Sequence, residues 1–136
     1  MLAWGPALPD LGAPSAALTR LFTPLSVPPG TYTVSTTARP IAAVAAALKA
    51  CDPVPMPGAW TLTTPEALDA FGQAGVYDRS RLAQLFGGRR PTVARGTLVG
   101  DGTREAYTLI SPYPDAALSR LESGTMVIVL RMTPSL

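Results

Sequence analysis

The stretch TVARGTLVGDGTREAYTLI, residues 92–110, decides the fold. Its two halves are rich in Thr, Val, Leu and Tyr, a composition that favours β-strands. Between them lies Gly100-Asp101-Gly102, and an Asp-Gly pair between two such runs is a strong signal for a tight hairpin turn. The segment therefore predicts an antiparallel hairpin whose strands are residues 92–99 and 103–110.

The position of the turn also fixes the register of this hairpin. A two-residue Asp-Gly turn places Gly100 opposite Thr103 and Gly96 opposite Tyr107. Successive side chains alternate between the faces of a sheet, so every second residue is expected in the core. The better core face is the one that carries Ala94, Gly96, Leu98, Tyr107 and Leu109. On this face we expect the Tyr107 ring to cover Gly96.

Three further strands are expected outside the hairpin. Residues 31–37 are rich in Thr, Tyr and Val, and residues 59–63 include Trp and Leu. Residues 125–132 contain a run, 126–130, that is apolar at successive positions and therefore on both faces. A strand of this kind is typical of the centre of a sheet.

Helical signals occur in five short segments. The clearest is 41–50, where Ile, Val and Leu recur at helical spacing among alanines. Thr64-Pro65-Glu66 is a strong helix start, and Gly87-Gly88 is a strong helix stop. The predicted helices are residues 14–22, 41–50, 64–71, 79–86 and 115–121.

These elements predict an α+β fold. We expect a mainly antiparallel sheet built around the 92–110 hairpin and a central strand at 125–132, packed by three to five short helices. Residues 1–13 are rich in Pro and Gly and are expected to form an extended or flexible N-terminal arm. Residues 14–136 are expected to form a single domain.

One internal similarity allows two interpretations. Residues 14–21, PSAALTRL, closely match residues 114–121, PDAALSRL, and each copy is followed by a Gly-Thr pair that opens a predicted strand. The match fits a duplicated helix–strand unit. The unequal spacing between helix and strand fits two independent helices of similar composition.

The composition excludes several classes of catalytic and metal site. The chain has no histidine and a single cysteine, Cys51. A Ser-His-Asp or Cys-His catalytic unit, an imidazole-based zinc site and an intramolecular disulfide are therefore excluded. The glycines and the single lysine do not form a phosphate-binding loop. We expect no catalytic residue, no metal and no cofactor, and we expect Cys51 to be a small apolar residue at a helix end.

A pair of carboxylates is the remaining route to an enzyme. Glu66 and Asp69 lie three residues apart on a predicted helix and would share one face. Paired carboxylates hydrolyse glycosides when they lie on opposite sides of a substrate cleft. Near a helix start they also complement the helix dipole, which is the interpretation we favour. A histidine-independent enzyme is therefore the third of our functional expectations.

An arginine-rich segment, residues 79–95, is the most prominent group of charged residues. Guanidinium groups bind phosphate and carboxylate, and a nearby Tyr77 or Tyr107 is suited to stacking on a base. The net charge of the chain is only +2, whereas nucleic-acid-binding domains are usually strongly basic. The candidate binding residues of this segment are Arg79, Arg81, Arg89, Arg90 and Arg95.

The loop 111–115, with the sequence SPYPD, adds Tyr113 to the candidate binding residues. Its two prolines make the loop stiff, and stiff loops often present recognition surfaces because little entropy is lost when they bind. The alternative is a connector whose Tyr113 packs on the sheet edge.

With the catalytic classes excluded, a non-catalytic binding or protein-interaction module is the leading expectation. The partner would be a second copy of the chain or another protein, bound through residues 79–95 and the loop 111–115. The alternative is an anion or nucleic-acid binder that uses the arginine cluster and weakens steeply with salt. No targeting or membrane-spanning segment is recognisable, so we expect a cytoplasmic protein or, as the alternative, the mature domain of an exported one.

Overall fold

The computed structural model describes residues 13–14, 32–66, 69–70, 79–100, 103–115 and 120–132. These residues contain seven strands and two α-helices. In chain order the elements are β1 (Ala13–Pro14), β2 (Tyr32–Thr37), α1 (Ile41–Ala50), α2 (Arg79–Phe86), β3 (Thr92–Gly100), β4 (Thr103–Ser111), β5 (Tyr113–Asp115), β6 (Arg120–Glu122) and β7 (Thr125–Met132).

The main sheet has five strands in the order β1-β2-β7-β4-β3, and all of its pairings are antiparallel. Two residues of the outermost strand, β1, are described. A separate two-stranded ribbon pairs β5 with β6. The predicted α+β fold with an antiparallel sheet is confirmed. The expectation of three to five helices was too high for the described residues, which hold two α-helices.

The hairpin formed by β3 and β4 has the register that its turn predicts. Gly100 pairs with Thr103, and Gly96 pairs with Tyr107. The predicted core face is confirmed as well. Its buried members are Ala94, Leu98, Tyr107 and Leu109.

Strand β7 lies at the centre of the sheet between β2 and β4, as its apolar run predicts. Met126 and Val127 are successive residues whose side chains point to opposite faces, and both are completely buried. A strand that is covered on both faces needs apolar residues at successive positions, which explains why this sequence does not alternate.

Helix α1 covers one face of the sheet, where it contacts β3 and β4. Its buried side chains are Ile41, Val44, Ala45 and Leu48, and its alanines allow a close approach to the strands. The helix ends at Cys51, whose backbone N–H donates to the carbonyl of Leu48. Cys51 is buried and free, as expected for a small apolar residue at a helix end.

The opposite face of the sheet also carries core residues. Val34, Val93 and Ile110 are each at most 1% exposed, and by alternation along their strands they point away from α1. Phe86, the last residue of α2, is buried, and α2 contacts the ribbon of β5 and β6. The sheet is therefore buried on both faces over part of its area.

Helix α2 has the predicted bounds and stops at the predicted glycines. Gly87 and Gly88 have φ angles of 53° and 87°, in the left-handed region that ends many helices. Neither helix of the described residues is long and apolar enough to span a membrane.

The predicted strand 59–63 is wrong. Residues 57–60 form a turn, and Trp60 has a φ of 62°, which no strand residue adopts. Only Thr63 makes a sheet-like bridge, to Val93 at the edge of β3. The composition of residues 59–63 favours a strand. The segment lies beside β3 and hydrogen-bonds to it at Trp60 and at Thr63.

The predicted helix 115–121 is also wrong, because its two ends pair with each other as strands. Asp115 lies opposite Arg120, and Pro114 lies opposite Leu121. Helix propensity is a weak preference that tertiary context can override. The second copy of the internal similarity is therefore not a helix at its ends, and residues 116–119 lie outside the described residues.

The remaining predictions fall partly outside the described residues. Pro14 lies in β1, opposite Ser35, and not at the start of a helix. The rest of the predicted helix 14–22 and residues 1–12 of the arm are not described, and the boundary between arm and domain stays a prediction. Of the predicted helix 64–71, the Ala70 N–H donates to the Glu66 carbonyl, which is one helical hydrogen bond.

Candidate functional site

An open cleft lies on the face of the sheet opposite α1. It encloses about 340 Å³, near the lower limit for ligand sites in proteins. Three adjacent strands, β3, β4 and β7, form its floor, and the turn 56–59 forms its wall. The floor residues on this face are Arg95, Thr97, Ala106, Thr108, Ile128 and Leu130, and Gly96 and Tyr107 of the same strands also line the cleft.

The strand register arranges the floor as two parallel rows of cross-strand neighbours. The first row is Thr97, Ala106 and Leu130, and the second is Arg95, Thr108 and Ile128. Ala106, the smallest of the six, lies between two larger side chains, so the first row is lowest at its middle. These residues alternate with the core residues under α1, and the hairpin register predicted from the sequence already assigns four of them to this face.

The wall of the cleft is held against the edge of β3 by Trp60. The Trp60 backbone N–H donates to the Arg95 carbonyl (2.8 Å), and the indole Nε1 donates to Asp52 Oδ2 (2.9 Å). The Trp60 side chain is buried, and its ring centroid lies 6.1 Å from that of Tyr107. The φ of 62° is unusual for a bulky residue and is tolerated because these contacts fix the turn.

Trp60, and not Tyr107, covers Gly96. A Cβ at position 96 would lie 2.6 Å from Trp60 Cδ2 and closer still to Cε2 and Cζ2. Position 96 is therefore glycine because an indole lies directly on the backbone of β3. The expectation that Tyr107 fills this space is wrong, since a residue from outside the hairpin occupies it.

Arg95 is the one charged side chain among the described residues that line the cleft. Its Nη2 donates to the Ala70 carbonyl (3.0 Å). Its Nε is buried and has no hydrogen-bond partner within the part of the chain that the structure describes. A buried donor without a partner is uncommon and costs stability, so this atom calls for an explanation.

Arg90 also contacts the segment 66–70. Its Nη2 lies 2.6 Å from Glu66 Oε1, and both side chains are more than half exposed. Arg90 and Arg95 thus meet the same short segment, which lies far from them in sequence. Of the two carboxylates of the predicted pair, Glu66 forms an ion pair with Arg90 in solvent, and Asp69 is exposed.

Arg89, another member of the predicted arginine cluster, is not among the described residues that line the cleft. Arg89 is exposed just beyond the end of α2. Arg79 and Arg81 lie in the first turn of α2, and their side chains are outside the described part of the structure. Tyr113 is half-buried in β5, opposite Glu122 of the ribbon.

A buried carboxylate, which was not among the predicted functional residues, lies on the same face of the sheet as α1. Glu105 is 3% exposed. Its Oε2 accepts from Nε and Nη2 of Arg131 (2.9 and 2.8 Å), and its Oε1 accepts from the Tyr107 hydroxyl (3.1 Å). The predicted register places Glu105 on the core face, and that position was the available signal for a partnered carboxylate.

Burial, followed by the neighbouring Glu105 carboxylate, raises the pKa of Tyr107 well above its ordinary value. The unfolded chain loses the phenol proton near pH 10, whereas the folded protein retains it, so the free energy of unfolding should fall as the pH rises above about 10. We expect Tyr107→Phe to reduce this slope. Urea unfolding at a series of pH values between about 9 and 11 measures it, and an unchanged slope in the variant would contradict the assignment.

No group of three or more Cys, Asp or Glu side chains in the described ranges is placed to hold a metal ion. Comparison of the chain with models of protein families, with curated proteins and with solved structures finds no match.

Proposed function

We propose that the chain is a non-catalytic protein-interaction module that binds an extended segment of a partner protein in the open cleft. The proposal rests on the shape of the cleft. Its floor is lowest at Ala106, and its wall, residues 56–59, is held in place by the contacts of Trp60. A wall held in place before binding loses little entropy when a partner docks.

The character of the cleft supports a peptide segment more than a small molecule. Small-molecule sites usually enclose most of their ligand, whereas this cleft is open and small. Its floor mixes aliphatic and hydroxyl side chains, as interfaces do. Met56, on the wall, is 72% exposed, and exposed methionine is frequent on surfaces that bind peptides.

A randomised peptide library displayed on phage tests the proposal with a defined probe. The library is selected on the folded protein, and the affinity of enriched peptides is then measured for two variants. Ala106→Leu fills the lowest point of the floor, whereas Ala46→Leu adds the same atoms to an exposed position on α1. We expect Ala106→Leu to weaken binding at least about tenfold and Ala46→Leu to leave it unchanged.

Both variants should remain folded, since neither residue is fully buried and surface substitutions usually change stability by less than about 0.5 kcal/mol. Thermal unfolding checks this point. Peptides that bind wild type and Ala106→Leu equally would show that the cleft is not the site. A library that yields no enriched peptide would also count against the proposal.

The described contacts give less support to the arginine cluster as a nucleic-acid or phosphate surface. Arg90 is engaged by the carboxylate of Glu66, and a phosphate would have to compete with that ion pair. Size-exclusion chromatography of the natively purified protein, with nucleic-acid absorbance recorded, tests this alternative. Nucleic acid that co-elutes and leaves at high salt would favour it over the cleft. The carboxylate enzyme has still less support, because Glu66 lies in solvent and pairs with Arg90.

A further inference from the structure

We infer that the bound segment carries an Asp or Glu side chain that accepts hydrogen bonds from Arg95, with an aliphatic side chain two residues away from it. This inference rests on the proposed function and adds the chemistry that the partner must have.

The state of the Arg95 guanidinium points to an anionic partner. Its Nη2 is held by the Ala70 carbonyl, which is neutral and leaves the positive charge without a counterion there. Its Nε is buried and unpartnered among the described residues. A carboxylate has the geometry and the charge to accept from a guanidinium, and such charge-assisted bonds are about twice as strong as neutral ones.

The fixed position of Arg95 makes it suited to recognition. Arginine in solvent loses side-chain entropy when it binds, but the contact with Ala70 already restricts this side chain in the free protein. The planar fork has directional donors that a lysine ammonium lacks. Arg95 should therefore distinguish a carboxylate from an amide of the same shape.

The two rows of the floor determine the spacing between the acidic and the aliphatic residue of the bound segment. Arg95 and Thr97 lie on the same face of β3, two residues apart, which corresponds to about 7 Å along a strand. An extended peptide that follows the strand direction repeats its own side chains at the same interval. An acidic residue above Arg95 therefore places the residue two positions away above the row of Thr97, Ala106 and Leu130, where Leu130 provides an aliphatic neighbour.

The first readout is the composition of the selected peptides. We expect enriched sequences to share an Asp or Glu two positions from an aliphatic residue. The tightest peptide is then synthesised with its acid and with the corresponding amide. The amide should bind wild-type protein at least about tenfold more weakly, because hydrogen bonds to charged groups are among the stronger ones in proteins. This comparison needs no protein variant.

The second readout assigns the effect to Arg95. In Arg95→Gln the acid and amide peptides should bind with similar, weak affinity, and in Arg95→Lys the preference for the acid should be reduced. Arg89→Gln is the matched control, since it removes the same charge from an exposed residue outside the cleft lining. It should leave the preference intact.

The outcomes separate this inference from the proposed function. Peptides that are blocked by Ala106→Leu but contain no acid, or that bind equally well as amides, would leave the cleft as the site and overturn the role of Arg95. If the preference for the acid persists in Arg95→Gln and is lost in Arg89→Gln, then Arg89 and not Arg95 binds the carboxylate, and the inference is wrong.

Discussion

Gly96→Ala is expected to lower the free energy of unfolding by about 2–4 kcal/mol, a large effect for the addition of one methyl group. The added Cβ would overlap the Trp60 indole, which is buried and donates a hydrogen bond to Asp52, while the Trp60 backbone is held by the Arg95 carbonyl. The ring cannot rotate away without breaking the hydrogen bond from its Nε1 to Asp52. Equilibrium unfolding in urea measures the loss.

A double-mutant cycle with Trp60 shows whether the indole is the cause. Trp60→Ala alone should cost about 3–5 kcal/mol, as other large-to-small changes in cores do. In that background Gly96→Ala should cost little or even stabilise, because alanine is a better strand residue than glycine. Additive effects would mean that Gly96 is required for a different reason.

Arg131→Met is expected to destabilise the protein by about 2–3 kcal/mol. Among the described residues, the substitution leaves the buried Glu105 carboxylate with the Tyr107 hydroxyl as its one side-chain partner. Loss of one member of a buried ion pair usually costs more than this, but the Arg131 side chain is 54% exposed and water replaces part of its effect.

Two further variants isolate the carboxylate as the cause. Arg104→Met removes an exposed arginine from the same region of the sheet and should leave stability nearly unchanged. Glu105→Gln, introduced into Arg131→Met, should recover about 1 kcal/mol or more, because it removes the uncompensated buried charge while keeping an acceptor for Tyr107. If the double variant is no more stable than Arg131→Met, the loss comes from packing of the arginine stem.

The parts of the fold that the sequence predicts are those determined by local chemistry. The Asp-Gly pair at 101–102 predicts the register of β3 and β4 without help from the rest of the chain. The uniform apolar run in β7 indicates a central strand, and the helix stop at Gly87 needs only the left-handed preference of glycine.

The parts that could not be predicted depend on contacts between distant segments. The ends of 113–122 form a ribbon although their residues favour a helix, and Trp60 leaves the strand geometry because its ring lies on Gly96. Neither partner can be identified from the residues beside it. Gly96 itself was a signal, since a glycine within a strand often marks a close approach of another group.

Only some parts of the candidate site could be predicted from the sequence. Arg95 was predicted as one of five arginines, and the sequence did not distinguish it from the other four, because its hydrogen bond to the Ala70 carbonyl joins segments that are distant in sequence. The floor of the cleft follows from the hairpin register once the core face is known. The position of the wall does not follow from the register, because residues 56–59 precede a turn whose Trp60 hydrogen-bonds to β3, and the sequence did not predict that turn.

The central position of β7 has a consequence for how the chain acquires its structure during translation. Its neighbours, β2 and β4, are both made earlier, and they do not pair with each other. Until residues 125–132 leave the ribosome, the pair of strands β1 and β2 and the hairpin at 92–111 have no strand between them to join them. The sheet therefore closes only after the last of its described strands has been synthesised, and during that interval two unpaired strand edges are open to association with other nascent chains.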